Sequence, residues 1–363
     1  MCFLPGALHR IPYSDNFPLT HSNMREGTMG SKNKKVKAKA SFSAFIALIN
    51  WATMTPLHGE GSLLSGPHAF NQSVIEGPKV IYGVDNRFES ELYPNRDFRE
   101  KAKSVAGMVH RNKIVPNFRD PESHVFFKKS AKRSYDLCPD ERFALQNVLP
   151  ICSGFLAAPD ILVTAGHCIE TVADCKDYVW IFDYVEGTDT ISNDNIYGCK
   201  EIIANKLDSS YFSLKDYAII RLDKPVKNRE PLKVRMKGRP NWGEPLVIIG
   251  HPLGLPQKVS DGAQVKIGNA LGFLRPIKNL IRKRDFFMAN LDAFGGNSGS
   301  PVFNEETGLV EGILVEGAED FKEDQEQMCN RSIVKKDSGF VTDEKVFRIN
   351  KMKPLKKLLQ AAE

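Results

Sequence analysis

The chain has 363 residues, enough for two or three domains, and its formal net charge is +6. Residues 1–55 carry +5 of this charge, with seven Lys or Arg residues against two Asp or Glu residues. The other 308 residues are therefore close to neutral. This charge argues against a nucleic acid as a partner, because such binding depends mainly on an excess of basic residues.

Residues 29–55 have the pattern of a secretory signal peptide. A basic segment, Lys32–Lys39, precedes an apolar segment of eleven residues, Phe42–Ala52, which is too short to span a bilayer. Because the pattern begins at Met29 or Met24, we expect residues 1–28, or 1–23, to be an over-extended start that is not native; a structured N-terminal extension is the alternative. We expect a secreted or periplasmic protein with no membrane span.

Two segments separate the candidate signal peptide from the strand-rich part of the chain. Residues 56–79 are rich in Gly, Pro, Ser and His without periodicity, which indicates a linker or a pro-segment. Residues 80–137 are charged and of mixed character, with a weak helical pattern over residues 98–110. We expect residues 80–137 to form an N-terminal extension that precedes the main domain.

Short apolar runs separated by turn residues begin near residue 138, for example Ile151–Leu156 and Leu246–Ile249. A spacing of about 8–12 residues is typical of an all-β fold, and residues 138–350 have a length that suits two small antiparallel barrels. The last segment, residues 345–363, has the pattern of a basic amphipathic helix that packs back on the fold.

Three residues at the edges of strand-like runs carry the chemistry of a hydrolase. His167 ends one run, Asp216 begins another, and Ser298 lies in the glycine-rich turn Gly295–Pro301. A serine nucleophile needs a base within hydrogen-bond reach, and that base needs an acid that fixes its tautomer. Each residue alone has an ordinary structural interpretation, but together they follow the His, Asp, Ser order of one known triad.

The segments Thr164–Cys168 and Gly296–Pro301 read TAGHC and GNSGSP. With these motifs the chain resembles the trypsin-like serine peptidases. Within that family it looks most similar to the bacterial branch that includes the glutamyl endopeptidases of the V8 type, and the resemblance covers residues 80–350. His251 lies in a segment similar to a turn of this family, so we expect it to be structural.

The resemblance implies a chymotrypsin-like fold, all-β, with two antiparallel six-stranded barrels over residues 138–350 and a C-terminal helix. It places His167 and Asp216 on the first barrel, Ser298 on the second, and the active site between them. Ser298 is then the nucleophile, His167 the general base and Asp216 the acid that orients it. The N–H groups of Gly296 and Ser298 form the implied oxyanion hole.

The implied function is that of a serine endopeptidase that cleaves proteins or peptides through an acyl-enzyme intermediate. We expect it to act as a monomer and to need no cofactor. The alternative is a catalytically silent homologue that binds a peptide or a surface. We favour the enzyme, because the three residues of the motif are all present in the sequence.

Seven cysteines fit an oxidising compartment, and six remain when Cys2 is set aside with the over-extended start. The resemblance pairs two of them behind the catalytic histidine; a second pair encloses a loop of moderate length, and the third follows by elimination. Because six cysteines allow fifteen pairings, the last two pairs stay open. The expected pairs are Cys152–Cys168, Cys175–Cys199 and Cys138–Cys329. No metal site is expected, since neighbouring His and Cys side chains cannot chelate one ion in ordinary geometry.

Four residues lie at positions that set substrate specificity in the family that the chain resembles. Glutamate specificity in V8-type enzymes is associated with a hydroxyl residue five positions before the nucleophile and with a histidine on the next pocket strand. These positions hold Ala293 and Leu314, so both glutamate-binding residues are missing. Asp292 lies where trypsin-like enzymes place a pocket-base aspartate, and Glu316 lies on the pocket wall. We expect these four residues to contact substrate and to favour a basic P1 residue; the alternative is that Asp292 points away into structural bonds.

Overall fold

The computed structural model describes residues 79–209, 214–266, 284–317, 319–337 and 344–361. The predictions for the over-extended start, the signal peptide and nearly all of the linker concern residues 1–78, which lie outside the described residues. No helix in the described part is long and apolar enough to cross a membrane.

The described chain is mostly β-strand, with four short helices. The strands are β1 Lys79–Tyr82, β2 Arg87–Glu89, β3 Val105–His110, β4 Ile114–Pro116, β5 Ser123–Phe126, β6 Cys152–Ala158, β7 Ile161–Thr164, β8 Tyr178–Phe182, β9 Ile191–Ser192, β10 Ile196–Ser209, β11 Leu214–Leu222, β12 Pro245–Gly250, β13 Lys258–Lys266, β14 Phe286–Ala289, β15 Pro301–Asn304, β16 Val310–Glu316, β17 Phe321–Asp324, β18 Cys329–Ser332, β19 Val334–Lys335 and β20 Glu344–Arg348. The helices are α1 Arg96–Ala102, α2 Ala131–Tyr135, α3 Val172–Asp177 and α4 Lys353–Ala361.

The first barrel is closed and has six strands in the order β10-β11-β7-β6-β3-β8. All its neighbouring strands are antiparallel, and Phe155, Leu162 and Trp180 are wholly buried because alternate residues of each strand face the interior. The register places Ala218 opposite Thr164. The start of β11 therefore lies beside the end of β7.

The second barrel has the order β12-β15-β16-β20-β14-β13 and closes by pairing β13 with β12; β2 extends this sheet beyond β13. Its pairings are also antiparallel. These two six-stranded barrels and the helix α4 confirm the predicted chymotrypsin-like fold.

The prediction that residues 80–137 precede the barrels is wrong at its boundary. β3, at residues 105–110, is a strand of the first barrel between β6 and β8, and β2 pairs with the second barrel. Of the residues 98–110 predicted to be helical, only those up to Ala102, where α1 ends, lie in a helix. Val105 and Met108 are wholly buried, so barrel packing decides the conformation of this run against a weak helical periodicity.

The predicted C-terminal helix over residues 345–363 is also partly wrong. Residues 344–348 form β20, which pairs on one side with β14 and on the other with β16. Val346 and Phe347 are buried in that position, as befits β-branched and aromatic side chains. The helix is confined to α4, with Pro354 in its first turn, where a missing N–H costs nothing.

Three disulfides join Cys138 to Cys329, Cys152 to Cys168 and Cys175 to Cys199. These are the expected pairs. The second bridge lies directly behind His167, and the first closes a loop of 191 residues between the segment before the first barrel and β18.

Candidate active site

His167 lies on a single helical turn, Gly166–Cys168, that follows β7. A side chain at Gly166 would place its Cβ 2.6 Å from the carbonyl oxygen of Lys206 and 2.9 Å from the nitrogen of Tyr217, so only glycine fits this turn. Asn205 on β10 donates both amide hydrogens of its side chain, to Gly166 O and Ile169 O, each at 2.8 Å. The backbone on both sides of His167 is therefore fixed to the first barrel.

Asp216 holds His167 at two points. Asp216 Oδ2 is 2.7 Å from His167 Nδ1, and Asp216 Oδ1 accepts the backbone N–H of His167 at 3.0 Å. Because a carboxylate only accepts hydrogen bonds, Nδ1 carries the proton and Nε2 is the ring atom that can accept one. The hydrogen bond to Asp216 raises the pKa of His167 above its ordinary value, although burial acts in the opposite direction. Asp216 is 6 % exposed, and solvent competes little for its oxygens.

Ser298 lies in the connection between β14 and β15 of the second barrel. Two glycines with positive φ shape this turn, Gly296 at +86° and Gly299 at +85°, a conformation that favours glycine. A Cβ at Gly299 would also lie 2.2 Å from the carbonyl oxygen of Ser153. Ser153 on β6 donates its N–H to Ser298 O and its hydroxyl to Gly296 O, both at 2.8 Å. The turn is thereby bonded to the first barrel.

The N–H groups of Gly296 and Ser298 have no acceptor within the described residues. The carbonyl of Gly295 accepts the N–H of Leu253 at 2.5 Å, and Asn297 N–H is bound to Phe294 O at 3.1 Å. The turn therefore leaves two neighbouring donors available for an oxygen atom that carries negative charge.

His167 and Ser298 line the same cleft, which has a volume of about 320 Å³. Of the residues predicted to contact substrate, Ala293, Leu314 and Glu316 line it as well. Its wall includes three acidic residues that no sequence motif indicated, Glu319, Asp320 and Glu344. Glu344 was missed because it begins β20, at the edge of the segment predicted as a helix; the run Val346-Phe347 was the available signal for a strand.

Asp292 does not line this cleft among the described residues. Its Oδ1 accepts the N–H of Tyr82 at 2.7 Å and its Oδ2 accepts the N–H of Asn86 at 2.9 Å. Burial raises its pKa to about 6, and the two N–H groups lower it only in part. The arrangement is thus the alternative left open above, in which the carboxylate makes structural bonds to the N-terminal segment.

Two further candidates are structural. His251 is wholly buried, with Nδ1 3.1 Å from Leu255 O, and burial lowers its pKa to about 4. Cys152, His167 and Cys168 bring possible metal-ligand atoms together, but the two sulfurs are bonded to each other. They cannot supply the thiolates that a metal would need.

Comparison with known proteins adds a domain match. Residues 152–313 match the family described as "Trypsin-like peptidase domain", a region that contains His167, Asp216 and Ser298. No curated protein sequence matches the chain significantly.

Solved structures with a similar fold include a Glu endopeptidase in complex with MPD, with a TM-score of 0.44 and 15 % identity over 78 % of this chain and 98 % of that one. The Rv3671c protease of M. tuberculosis in its active form has a TM-score of 0.38 and 14 % identity over 78 % and 90 %. The VesB protease of Vibrio cholerae has a TM-score of 0.40 and 12 % identity over 74 % and 64 %.

Proposed function

We propose that this chain is a trypsin-like serine endopeptidase that hydrolyses peptide bonds through an acyl-enzyme intermediate. The observation that carries the proposal is the cleft between the barrels, where His167, held at two points by Asp216, faces the same space as Ser298. The two available N–H donors beside Ser298 support the same reaction.

In the first half of the reaction, Ser298 Oγ attacks the carbonyl carbon of the scissile peptide bond while His167 Nε2 accepts the hydroxyl proton. The carbonyl oxygen becomes an oxyanion, which accepts hydrogen bonds from the N–H groups of Gly296 and Ser298. Asp216 stabilises the imidazolium that forms. The imidazolium then gives its proton to the leaving amine, and the tetrahedral intermediate collapses to the acyl-enzyme.

In the second half, a water molecule attacks the ester carbonyl of the acyl-enzyme, with His167 again accepting a proton. Collapse of the second tetrahedral intermediate releases the new carboxyl terminus and returns the proton to Ser298. In each half, His167 first accepts a proton from the attacking group and then donates it to the leaving group. The same histidine therefore serves as base and as acid in both halves.

The proposal includes a preference for basic P1 residues and export of the protein. The acidic wall of the cleft supports the first. The signal-peptide pattern of residues 29–55 and the three disulfides, which form and persist in oxidising compartments, support the second.

The test is hydrolysis of a mixture of internally quenched peptides by the protein, the Ser298→Ala variant and the Ser192→Ala variant. Ser192 is an exposed serine on β9 and is the matched control. We expect the protein and the control to cleave the peptides, and Ser298→Ala to lose at least about 10³-fold in rate, because the nucleophile is gone. No hydrolysis by the folded protein would favour the silent binding homologue instead.

A further inference from the structure

The backbone of the turn before Ser298 has a hydrogen-bond partner at nearly every polar group. The N–H of Asn297 donates to Phe294 O at 3.1 Å, and the hydroxyl of Ser153 donates to Gly296 O at 2.8 Å. Within the described residues, the N–H of Gly296 has no acceptor. It is the donor that the proposed mechanism gives to the oxyanion.

Gly295 is held at both of its backbone polar groups. Its N–H donates to Asp320 Oδ2 at 2.8 Å, and its carbonyl accepts the N–H of Leu253 at 2.5 Å. The C=O and the N–H of a trans peptide unit point in opposite directions. Because the carbonyl of Gly295 points at Leu253, the N–H of Gly296 points away from Leu253 and is left for another acceptor.

The torsion angles of the turn do not fix this orientation by themselves. The peptide unit lies between two glycines, Gly295 and Gly296, and glycine changes its backbone conformation at little cost. Rotation of this unit by half a turn would exchange the directions of its carbonyl and its N–H, and the oxyanion would lose a donor. The hydrogen bonds of Gly295 to Asp320 and Leu253 oppose that rotation.

Both partners of Gly295 are bonded to other parts of the protein. The hydroxyl of Tyr135 donates to Leu253 O at 2.8 Å, and the backbone carbonyl of Asp320 accepts the N–H of Ile333 at 3.1 Å. Asp320 is half-buried, directly before β17. Gly295 is therefore bound between two fixed points of the fold.

We propose that Asp320 is a positioning residue of the oxyanion hole, which acts through Gly295 to keep the N–H of Gly296 directed at the oxyanion. Its carboxylate anchors the N–H of Gly295, and the carbonyl of the same residue then stays on Leu253. A hydrogen bond to a charged acceptor is about twice as strong as one between neutral groups, so this anchor resists rotation of the peptide unit. The inference rests on the proposed peptidase function.

The catalytic test compares Asp320→Ala with Asp320→Asn. Both variants lose the charge, but only Asp320→Ala loses the acceptor, since Oδ2 alone binds a backbone N–H among the described residues and the amide can replace the other oxygen. The difference between them therefore isolates the hydrogen bond from any effect of charge on substrate binding. The assay is run at pH 8, where the unmodified carboxylate is ionised, because burial raises its pKa only to about 6.

We expect kcat to be about 10- to 100-fold lower in Asp320→Ala than in Asp320→Asn, and KM to agree within about threefold. Complete loss of one oxyanion donor costs about 10²–10³-fold, and here the donor is misdirected for part of the time. Active enzyme is counted by fluorophosphonate titration. Glu323→Ala, at an exposed position on β17, should match the unmodified protein. Equal kcat in the two folded Asp320 variants would overturn the inference.

A spectroscopic test reads the oxyanion itself. A peptide chloromethyl ketone with ¹³C at its ketone carbon forms a hemiketal when Ser298 Oγ adds to that carbon, and His167 Nε2 displaces the chloride. The ¹³C shift then follows ionisation of the hemiketal hydroxyl to an oxyanion. We expect the pKa of this hydroxyl to be higher in Asp320→Ala than in Asp320→Asn by about one pH unit or more. A purely structural role would leave it equal in both, and that result would reject the inference.

A measurement that needs no catalysis separates this inference from the proposed function. Exchange of the Leu253 amide hydrogen, followed by NMR, reports the bond to Gly295 O. We expect the exchange to be at least about 10-fold faster in Asp320→Ala than in Asp320→Asn. Equal exchange would reject the anchor even if the protein hydrolyses peptides. Faster exchange in a protein that hydrolyses no peptide would reject the function and keep the role of Asp320 in holding the turn.

Discussion

The carboxylate of Asp216 aligns the imidazole of His167, because it binds both the ring and the backbone N–H of His167. The same contact fixes which ring nitrogen can accept a proton and raises the pKa of the ring. A general base acts only when it is neutral, so the activity should be lost as the pH falls through the pKa of His167.

Asp216→Asn tests this pairing. The amide cannot favour the protonated ring as a carboxylate does, so we expect kcat/KM to fall by about 10³–10⁴-fold at neutral pH. The raised pKa of His167 should also return toward its ordinary value, which moves the acidic limb of the pH–rate profile to lower pH. Measurement of kcat/KM from pH 4 to pH 9 checks both effects. An unchanged acidic limb in an active, folded variant would show that Asp216 does not set the pKa of the base.

Sequence motifs located the three candidate catalytic residues, and for His167 and Ser298 the motif includes the glycines that their turns require. Gly166 and Gly299 illustrate this, since neither turn has space for a Cβ. The orientation of Asp292 could not be predicted in the same way. It depends on backbone contacts with residues 82–86, which local spacing does not encode.

The segment from β1 to β2 is the element that removes Asp292 from the cleft. β1 pairs with β19 in parallel, and β2 adds to the second barrel beside β13. Tyr82 at the end of β1 and Asn86 in the turn that follows supply the two N–H groups that bind Asp292. Arg87 completes the contact, with its guanidinium carbon 4.4 Å from the ring centre of Phe294, a residue that lines the cleft. The segment thus supports the wall of the candidate site.

Asp292→Asn tests the role of this segment. One of its two bonds would be lost, because the amide nitrogen would face a backbone N–H, and we expect the free energy of unfolding to fall by about 1–3 kcal/mol at neutral pH. Urea denaturation followed by circular dichroism measures it. A variant as stable as the unmodified protein would mean that the two bonds contribute nothing.

The pH dependence gives a second readout of the same carboxylate. Its pKa is raised by burial to about 6 in the folded protein, above the value of about 3.9 in an unfolded chain. The folded state therefore holds the proton more strongly, so the contribution of Asp292 to stability is greatest below pH 4 and declines as the pH rises to 6. Asp292→Asn should lack this decline, and an identical pH dependence in both proteins would contradict the assignment.

The two errors in the predicted elements have one cause. β3 and β20 were assigned to an extension and to a helix because short apolar runs in mixed sequence carry little periodicity. Val105, Met108, Val346 and Phe347 become strand residues through pairing with distant parts of the chain. Such non-local contacts override local preference, and a single sequence does not display them.

At the scale of the whole molecule, each barrel carries only some of the residues of the candidate site, so neither barrel forms the site by itself. The first barrel carries His167 and Asp216, and the second carries Ser298 and the acidic wall. Ser153 joins them, since its N–H and hydroxyl hold the two carbonyls of the Ser298 turn. The reactivity that we propose for Ser298 therefore depends on both barrels.

Labelling with a fluorophosphonate, followed by mass spectrometry of the peptides, tests this account most directly. We predict one adduct per folded molecule, located on Ser298, absent from Ser298→Ala and formed far more slowly in His167→Ala because the base is missing. No adduct on a folded protein with its three disulfides intact, or an adduct on another serine, would contradict the account.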